Sequence, residues 1–199
     1  MDSDPGRGAS RMIGYAICGS FCTHKKSLEI LKNLKSDGQE ILPILSEISS
    51  ATDTRFGCAN DLIRSVTEIT GHTPVITIPE AEPLGPSNPL DALIIAPCTG
   101  NTLAKIANGI TDTVVCMAAK AHMRTSRPLL IALASNDAMS ANLENIAKLL
   151  SKKNVYFVPM LQDDPNHKPH SLVADFEMIP QSFAAMMDGH QLRPLFLQK

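Results

Sequence analysis

The chain has 199 residues, 44% of them apolar and 19% charged, with a formal net charge of −2, which suits one substantial domain and is short for two. That balance offers no electrostatic footprint for nucleic acid or an anionic membrane, and 4% aromatic content with no Trp leaves no base-stacking surface. No apolar run is long enough to span a bilayer.

Residues 1–11 are rich in Asp, Gly and Ser and lack the apolar stretch of a signal peptide. They read as a disordered extension or residues added for expression, ahead of a single domain over 12–199. The five cysteines are an odd number, and Cys18 and Cys22 have no second pair at zinc spacing, so reduced cytosolic thiols and no metal site are expected.

Met12 to Cys18 reads as a buried strand, followed by the turn Gly19–His24 and a helix over Lys25–Ser36 with Leu28, Ile30, Leu31 and Leu34 on its apolar face. Glu40 to Leu45 is a second strand, which makes a right-handed parallel crossover. Residues 46–57 read as a long hydroxyl-rich loop, of a length that is often functional. A helix over Cys58–Thr70, a third strand over Pro74–Ile78 and a rigid connector over Glu80–Pro89 follow.

Ala92–Ile95 is the next buried strand, broken by Pro97 and Gly100. Asn101 is placed to cap a helix with Leu103, Ala104, Ile106, Ala107 and Ile110 on its apolar side, and Gly109 to end it. Another helix is expected over Val114–Arg124, then a strand over Pro128–Ala134 that ends in the polar elbow Ser135-Asn136-Asp137. Ala138–Lys152 reads as a helix, Val155–Pro159 as a sixth strand and Gln162–Ser171 as a polar loop. Val173–His190 is a last helix, broken near Pro180. Strands and helices alternating at these lengths predict a doubly wound parallel sheet of about six strands in three α/β/α layers.

In such a sheet ligands bind at the carboxyl ends of strands. The elbows there, Gly19–His24, Ser46–Arg55, Pro97–Thr102 and Ser135–Asp137, are rich in Ser, Thr and Asn and poor in acids and His. That chemistry suits phosphate and a neutral ring with many acceptors better than a metal. A nicotinamide dinucleotide needs G-x-G-x-x-G after the first strand, whereas Gly19 stands there alone, and Glu47 is weak evidence for a ribose contact. Cys18, Cys98 and Cys116 read as packing residues. Cys22 lacks a paired base, and His24 either touches phosphate or is solvated. His72, His122, His167, His170 and His190 read as solvated, and Met117, Met123, Met186 and Met187 as helix core or subunit contact. Lys105 is a solvated helix residue or an anion contact.

The run from Ala96 to Asp112, A-P-C-T-G-N-T-L-A-K-I-A-N-G-I-T-D, resembles the A-P-x-(S/T)-A-N-T-x-A-K-x-A-x-G-x-x-D motif of the flavoprotein superfamily. That superfamily includes phosphopantothenoylcysteine decarboxylase, lantibiotic-type cysteine decarboxylases and flavin prenyltransferase. Gly19-Ser20 and Ser135-Asn136-Asp137-Ala138-Met139 are similar to its other flavin elbows. From Met12 onward, Thr54-Arg55-Phe56-Gly57, residues 81–86, Met117–Ala121 and Gln162–Pro165 resemble the dipicolinate synthase B-subunit family of endospore-forming bacteria.

The resemblance implies a Rossmann-like or flavodoxin-like fold, FMN, and oxidation of dihydrodipicolinate to dipicolinate during sporulation. It also implies a partner A subunit carrying NAD(P), a homo-oligomer (trimer or dodecamer) and the mother-cell cytoplasm. On this basis Gly19, Ser20 and Thr23 would hold phosphate, Thr99, Asn101, Thr102 and Asn136 would contact the ring or ribityl chain, and Arg55 would pair with a substrate carboxylate. No residue stands out as the base. The catalytic His of the decarboxylases is missing from 46–70, which disfavours peptidyl-cysteine decarboxylation. Gly100 replaces the motif's Ala and should leave that elbow's backbone more open, and Ser135-Asn136 lacks the preceding Pro-x-Met. Two alternatives remain, a non-catalytic scaffold for the A subunit and an FMN-dependent lyase or transferase.

Overall fold

Met12–Ile17 forms β1, whose six residues alternate strictly between two apolar layers. Ile13, Tyr15 and Ile17 point into one core while Ala16 and Cys18 enter the other. The same alternation recurs in β3 (Ala92–Thr99), with Leu93 and Ile95 opposite Ala92 and Ile94. It recurs again in β4 (Leu129–Ser135), with Leu129, Ile131 and Leu133 opposite Leu130 and Ala132. Strands apolar on both faces must be covered on both, so this pattern alone requires helices above and below the sheet. Each Ile or Leu buried this way contributes about 1.5–3 kcal/mol.

The computed structural model describes residues 11–198 apart from 86, 88 and 89. The extension expected over 1–11 therefore lies outside the described residues except for Arg11, as do Pro86 and Pro89. One layer holds α1 (His24–Ser36), α3 (Ala59–Thr70) and α8 (Ile179–Met187). The other holds α5 (Gly100–Ala107), α6 (Val114–Met123) and α7 (Leu143–Leu150), with the short α4 (Ile78–Ala81) at its edge. The parallel part of the sheet runs β2 (Glu40–Leu45), β1, β3, β4, with β5 (Val155–Phe157) on the first half of β4. This 2-1-3-4-5 order reverses direction between β1 and β3 and opens a crevice at their carboxyl ends. The doubly wound three-layer expectation holds.

Several local expectations do not. Two short strands, β6 (Met160–Leu161) and β7 (Leu172–Ala174), bring the sheet to seven, and β7 pairs antiparallel with Ala134 and Ser135 of β4. The strand expected at Pro74–Ile78 is a single bridge from Val75 to Ile44. The Glu80 carboxylate accepts from the N–H groups of Ile76 and Thr77 at 3.1 Å each, which turns that segment into the capping box of α4 instead of a ladder. The supposed loop after β2 contains a helix, α2 (Glu47–Ala51), capped by Ser46.

Pro97 does not break β3. The strand continues to Thr99, with its register against β4 shifted between Ile95 and Cys98, where proline has no N–H to give the ladder. Residues 138–142 are turn, so α7 starts five residues later than expected. Pro180 stands in the first turn of α8 rather than breaking a helix. Gly109 does close α5. With φ +74° it lets its own N–H reach Ile106 and the Ile110 N–H reach Lys105, the two bonds of a Schellman ending.

Candidate functional site

Four adjacent parallel strands end on the same edge, and backbone bonds tie their elbows together. The Cys18 N–H donates to Pro97 at 3.1 Å, and the Ser46 N–H to Ile17 at 3.0 Å. Ser27 of α1 donates its hydroxyl to the Ala96 carbonyl and meets the buried Tyr15 hydroxyl at 3.1 Å, pinning the start of α1 beside the end of β3.

In the β1 elbow the Ser20 N–H donates to Cys18, and both the N–H and the hydroxyl of Thr23 donate to the Ser20 carbonyl. Among the described residues this leaves the N–H groups of Gly19, Phe21 and Cys22 without a backbone acceptor. The Ser20 hydroxyl has only a 3.9 Å contact with the Cys22 sulfur. The elbow therefore offers clustered donors beside the amino end of α1 and no acid of its own, a set that fits an anion. Thr23 helps to shape this turn, but its hydrogens are already engaged. The His24 Nε2–H donates to the Cys18 carbonyl at 2.9 Å, and burial pulls the imidazole's pKa down against that bond.

The cap of α5 is Thr99, not Asn101. The Thr99 Oγ1 accepts from the Thr102 N–H at 3.3 Å and donates to the Thr102 Oγ1 at 3.1 Å. Both threonines are occupied by this local work, whereas Asn101 is exposed one position into the helix. Asn136, at the end of β4, is also exposed. Among the described residues neither amide has a partner. Each offers a carbonyl and an NH₂ to the same edge of the sheet, a fit for a ring with alternating donors and acceptors.

Asp137 completes the β4 elbow. Its Oδ1 accepts from the Ser135 hydroxyl and from the Asn142 amide at 3.0 Å, and these two bonds hold the carboxyl below its ordinary range despite the opposing effect of burial. Gly100 packs on this group: a Cβ there would lie 2.5 Å from the Ser135 Oγ and 2.7 Å from the Asn142 Nδ2. The expectation that Gly100 opens the elbow's backbone is thus corrected, because Ser135, Asp137 and Asn142 fill the space. Asn142 escapes a sequence reading because 138–152 looks like uninterrupted helix.

The β2 elbow is tied elsewhere. Ser46 and Ser49 bond each other at 2.9 Å and are buried, while the Glu47 carboxylate accepts from the Val114 N–H at 2.8 Å across the crevice, at the amino end of α6. Glu47 is thereby engaged as a helix cap. Arg55 stands on the tight 54–57 turn with its guanidinium 4.8 Å from the Phe56 ring centre. Phe56 itself joins Phe21, His24, Leu28, Ser49 and Thr54 in lining a cleft of about 250 Å³ between α1, α2 and α3, but Arg55 does not. Lys105 pairs with Asp112 at 2.9 Å.

Cys18, Cys98 and Cys116 are buried as expected, and burial pushes the Cys18 thiol up to about 12. His122, expected in solvent, is wholly buried. Its Nε2–H donates to the Pro128 carbonyl at 2.9 Å because β4 begins directly beneath α6. No metal-ligating cluster exists among the described residues, and no helix among them is long and apolar enough to cross a membrane.

The chain is 38% identical over 188 residues to the dipicolinate synthase B-subunit of Bacillus subtilis (strain 168), covering 94% of each. The crystal structure of the dipicolinate synthase B-subunit from Bacillus halodurans C superposes with a TM-score of 0.88 at 38% identity, covering 96% of this chain and 98% of that one. The FMN-dependent cysteine decarboxylase SpaF shares the fold, with a TM-score of 0.64 at 24% identity, covering 90% and 97%. The sequence-family model for flavoproteins matches residues 3–188, a span that takes in all four elbows. The chain belongs to the flavoprotein family.

Proposed function

We propose that this chain is the flavin-site subunit of a dipicolinate synthase, taking part in the oxidation of dihydrodipicolinate to pyridine-2,6-dicarboxylate during sporulation. The observation that carries the reading is similarity over nearly the whole length of both chains to the dipicolinate synthase B-subunit. The donor set supports it. The Gly19, Phe21 and Cys22 N–H groups with the Ser20 hydroxyl would hold the phosphate of FMN, and the Asn101 and Asn136 amides its ring. Thr99, Thr102 and Thr23 would set the backbone that presents them.

Bound FMN supplies a hydride acceptor, and the protein's contribution is position. The oxidation removes one hydride and one proton from the substrate ring, with aromatisation as the driving force. Arg55 would take a substrate carboxylate once it leaves the Phe56 face, and the 250 Å³ cleft beside Phe56 and Phe21 suits a flat heterocycle. A partner A subunit would carry NAD(P), and the assembly would work in the mother-cell cytoplasm as a trimer or dodecamer of this chain.

The first test is colour. Purified protein that is yellow and releases FMN on denaturation supports the flavin site, and colourless protein that binds no added FMN refutes it. Assay of this chain and its NAD(P)-carrying partner, apart and together, with dihydrodipicolinate and NADP then separates catalyst from scaffold. Turnover that needs both proteins supports the proposal; full turnover by the partner alone makes this chain a scaffold.

A further inference from the structure

Asp137 is the one carboxylate in an elbow otherwise built of hydroxyls, amides and free N–H groups, and it is firmly held. Its donors, the Ser135 hydroxyl and the Asn142 amide, are neutral, and both residues are buried. Asn142 is fixed in turn by the Asn145 amide at 3.0 Å, Asn145 by Asn108 at 3.2 Å, and Asn108 by the Lys148 ammonium at 3.2 Å. The chain of bonds thus reaches a cation only at the far end of α7. Among the described residues Asp137 forms no ion pair.

The carboxylate also lies against the first turn of α5, since a Cβ on Gly100 would sit 2.8 Å from its Oδ1. The amino end of a helix is where an added anion would otherwise be drawn. We infer that Asp137 is a specificity-determining residue: its fixed negative charge keeps anions off the amino end of α5 and leaves phosphate the β1–α1 elbow alone.

The two elbows thereby divide the ligand between them. The β1 elbow, without an acid, takes the charged end, and the β3 and β4 elbows take a neutral polar face. Its Ser135 and Asn142 bonds also favour the ionised form of Asp137, holding the carboxyl below its ordinary range.

The test is a titration of the whole chain with inorganic phosphate, no flavin present, followed by amide NMR shifts. In the wild type the Gly100, Asn101 and Thr102 amides should stay still at concentrations that move Gly19, Phe21 and Cys22. Asp137→Asn keeps an oxygen for the Ser135 and Asn142 donors and removes the charge. In it the Gly100–Thr102 amides should respond at least tenfold more strongly. Ser135→Ala, which keeps the charge and loses one bond, should behave as the wild type. Equal responses at Gly100–Thr102 in the wild type and in Asp137→Asn would overturn the inference.

A second readout rests on the flavin reading. In Asp137→Asn the reduction equilibrium of bound flavin should shift at least tenfold toward the reduced form, about 30 mV for a two-electron couple. Colourless protein removes this readout, refutes the flavin reading and leaves the phosphate titration standing as the test of Asp137.

Discussion

Gly100 shows how much one missing methyl group can decide. Its absent Cβ would meet the Ser135 Oγ, the Asn142 Nδ2 and the Asp137 Oδ1, all closer than van der Waals contact permits. Gly100→Ala should therefore cost about 1–3 kcal/mol through overpacking, read as a lower denaturant midpoint with an unchanged slope. Ser135→Ala removes the nearest of those atoms and should recover part of the loss, so a double-mutant cycle should report coupling between the two positions.

His122 sets a different residue-scale test. Burial, with a smaller contribution from Arg127, pulls its pKa below the ordinary value, against the opposing bond to Pro128 and the charge of Asp91. The unfolded chain then binds more protons than the folded one once the pH drops beneath about 6.5. Stability contributed by the neutral ring is full above that pH and is lost as the pH falls. Each unit of lowering removes about 1.4 kcal/mol at the acid limit. His122→Gln keeps an N–H for the Pro128 carbonyl and cannot protonate, so its stability between pH 6.5 and 5 should fall less steeply than the wild type's in chemical denaturation. An identical slope would show that the titration lies elsewhere.

At the scale of elements, what is legible follows periodicity. The bounds of β2 can be read residue for residue, and those of α1, α3 and α6 to within one residue, because their apolar spacing matches the layer they cover. The failures share a cause: a side chain takes a backbone partner that the local pattern assigns to something else. Glu80 removes the Ile76 and Thr77 N–H groups from a ladder, and Thr99 displaces Asn101 as the α5 cap. Strands of two or three residues such as β6 and β7 carry too few alternations to be seen.

The exchange of caps makes a prediction at this scale. Thr99→Ala should cost about 1 kcal/mol by leaving the Thr102 N–H unmatched. Asn101→Ala, exposed and without a bond, should stay within about 0.5 kcal/mol in stability yet weaken FMN binding. Denaturation and flavin titration of both variants separate the structural residue from the ligand-facing one.

For the molecule as a whole, the sequence carries the location of the candidate site but not its division of labour. Four polar elbows at strand ends are visible as composition. That the Thr23 and Thr99 hydroxyls and the Thr102 N–H are consumed by partners three residues away, while Ser20, Asn101 and Asn136 stay open, depends on the turn each elbow adopts and not on its composition. If the elbows of β1, β3 and β4 form one site, a ligand should stabilise the entire sheet through them and not one loop. FMN at a hundred times its Kd then adds about 2.7 kcal/mol to unfolding. Riboflavin has the ring and ribityl chain without the phosphate, so at equal concentration it should stabilise less. On the proposed assignment of the β1 elbow to the phosphate, Ser20→Ala should shrink the FMN shift toward the riboflavin value and leave the riboflavin shift alone. With the β4 elbow assigned to the ring, Asn136→Ala should shrink both. Thermal unfolding of the three proteins with each ligand reads all of these shifts. If Ser20→Ala lowers both equally, the β1 elbow does not select phosphate, and the assignment of the charged and neutral ends must be reversed or abandoned.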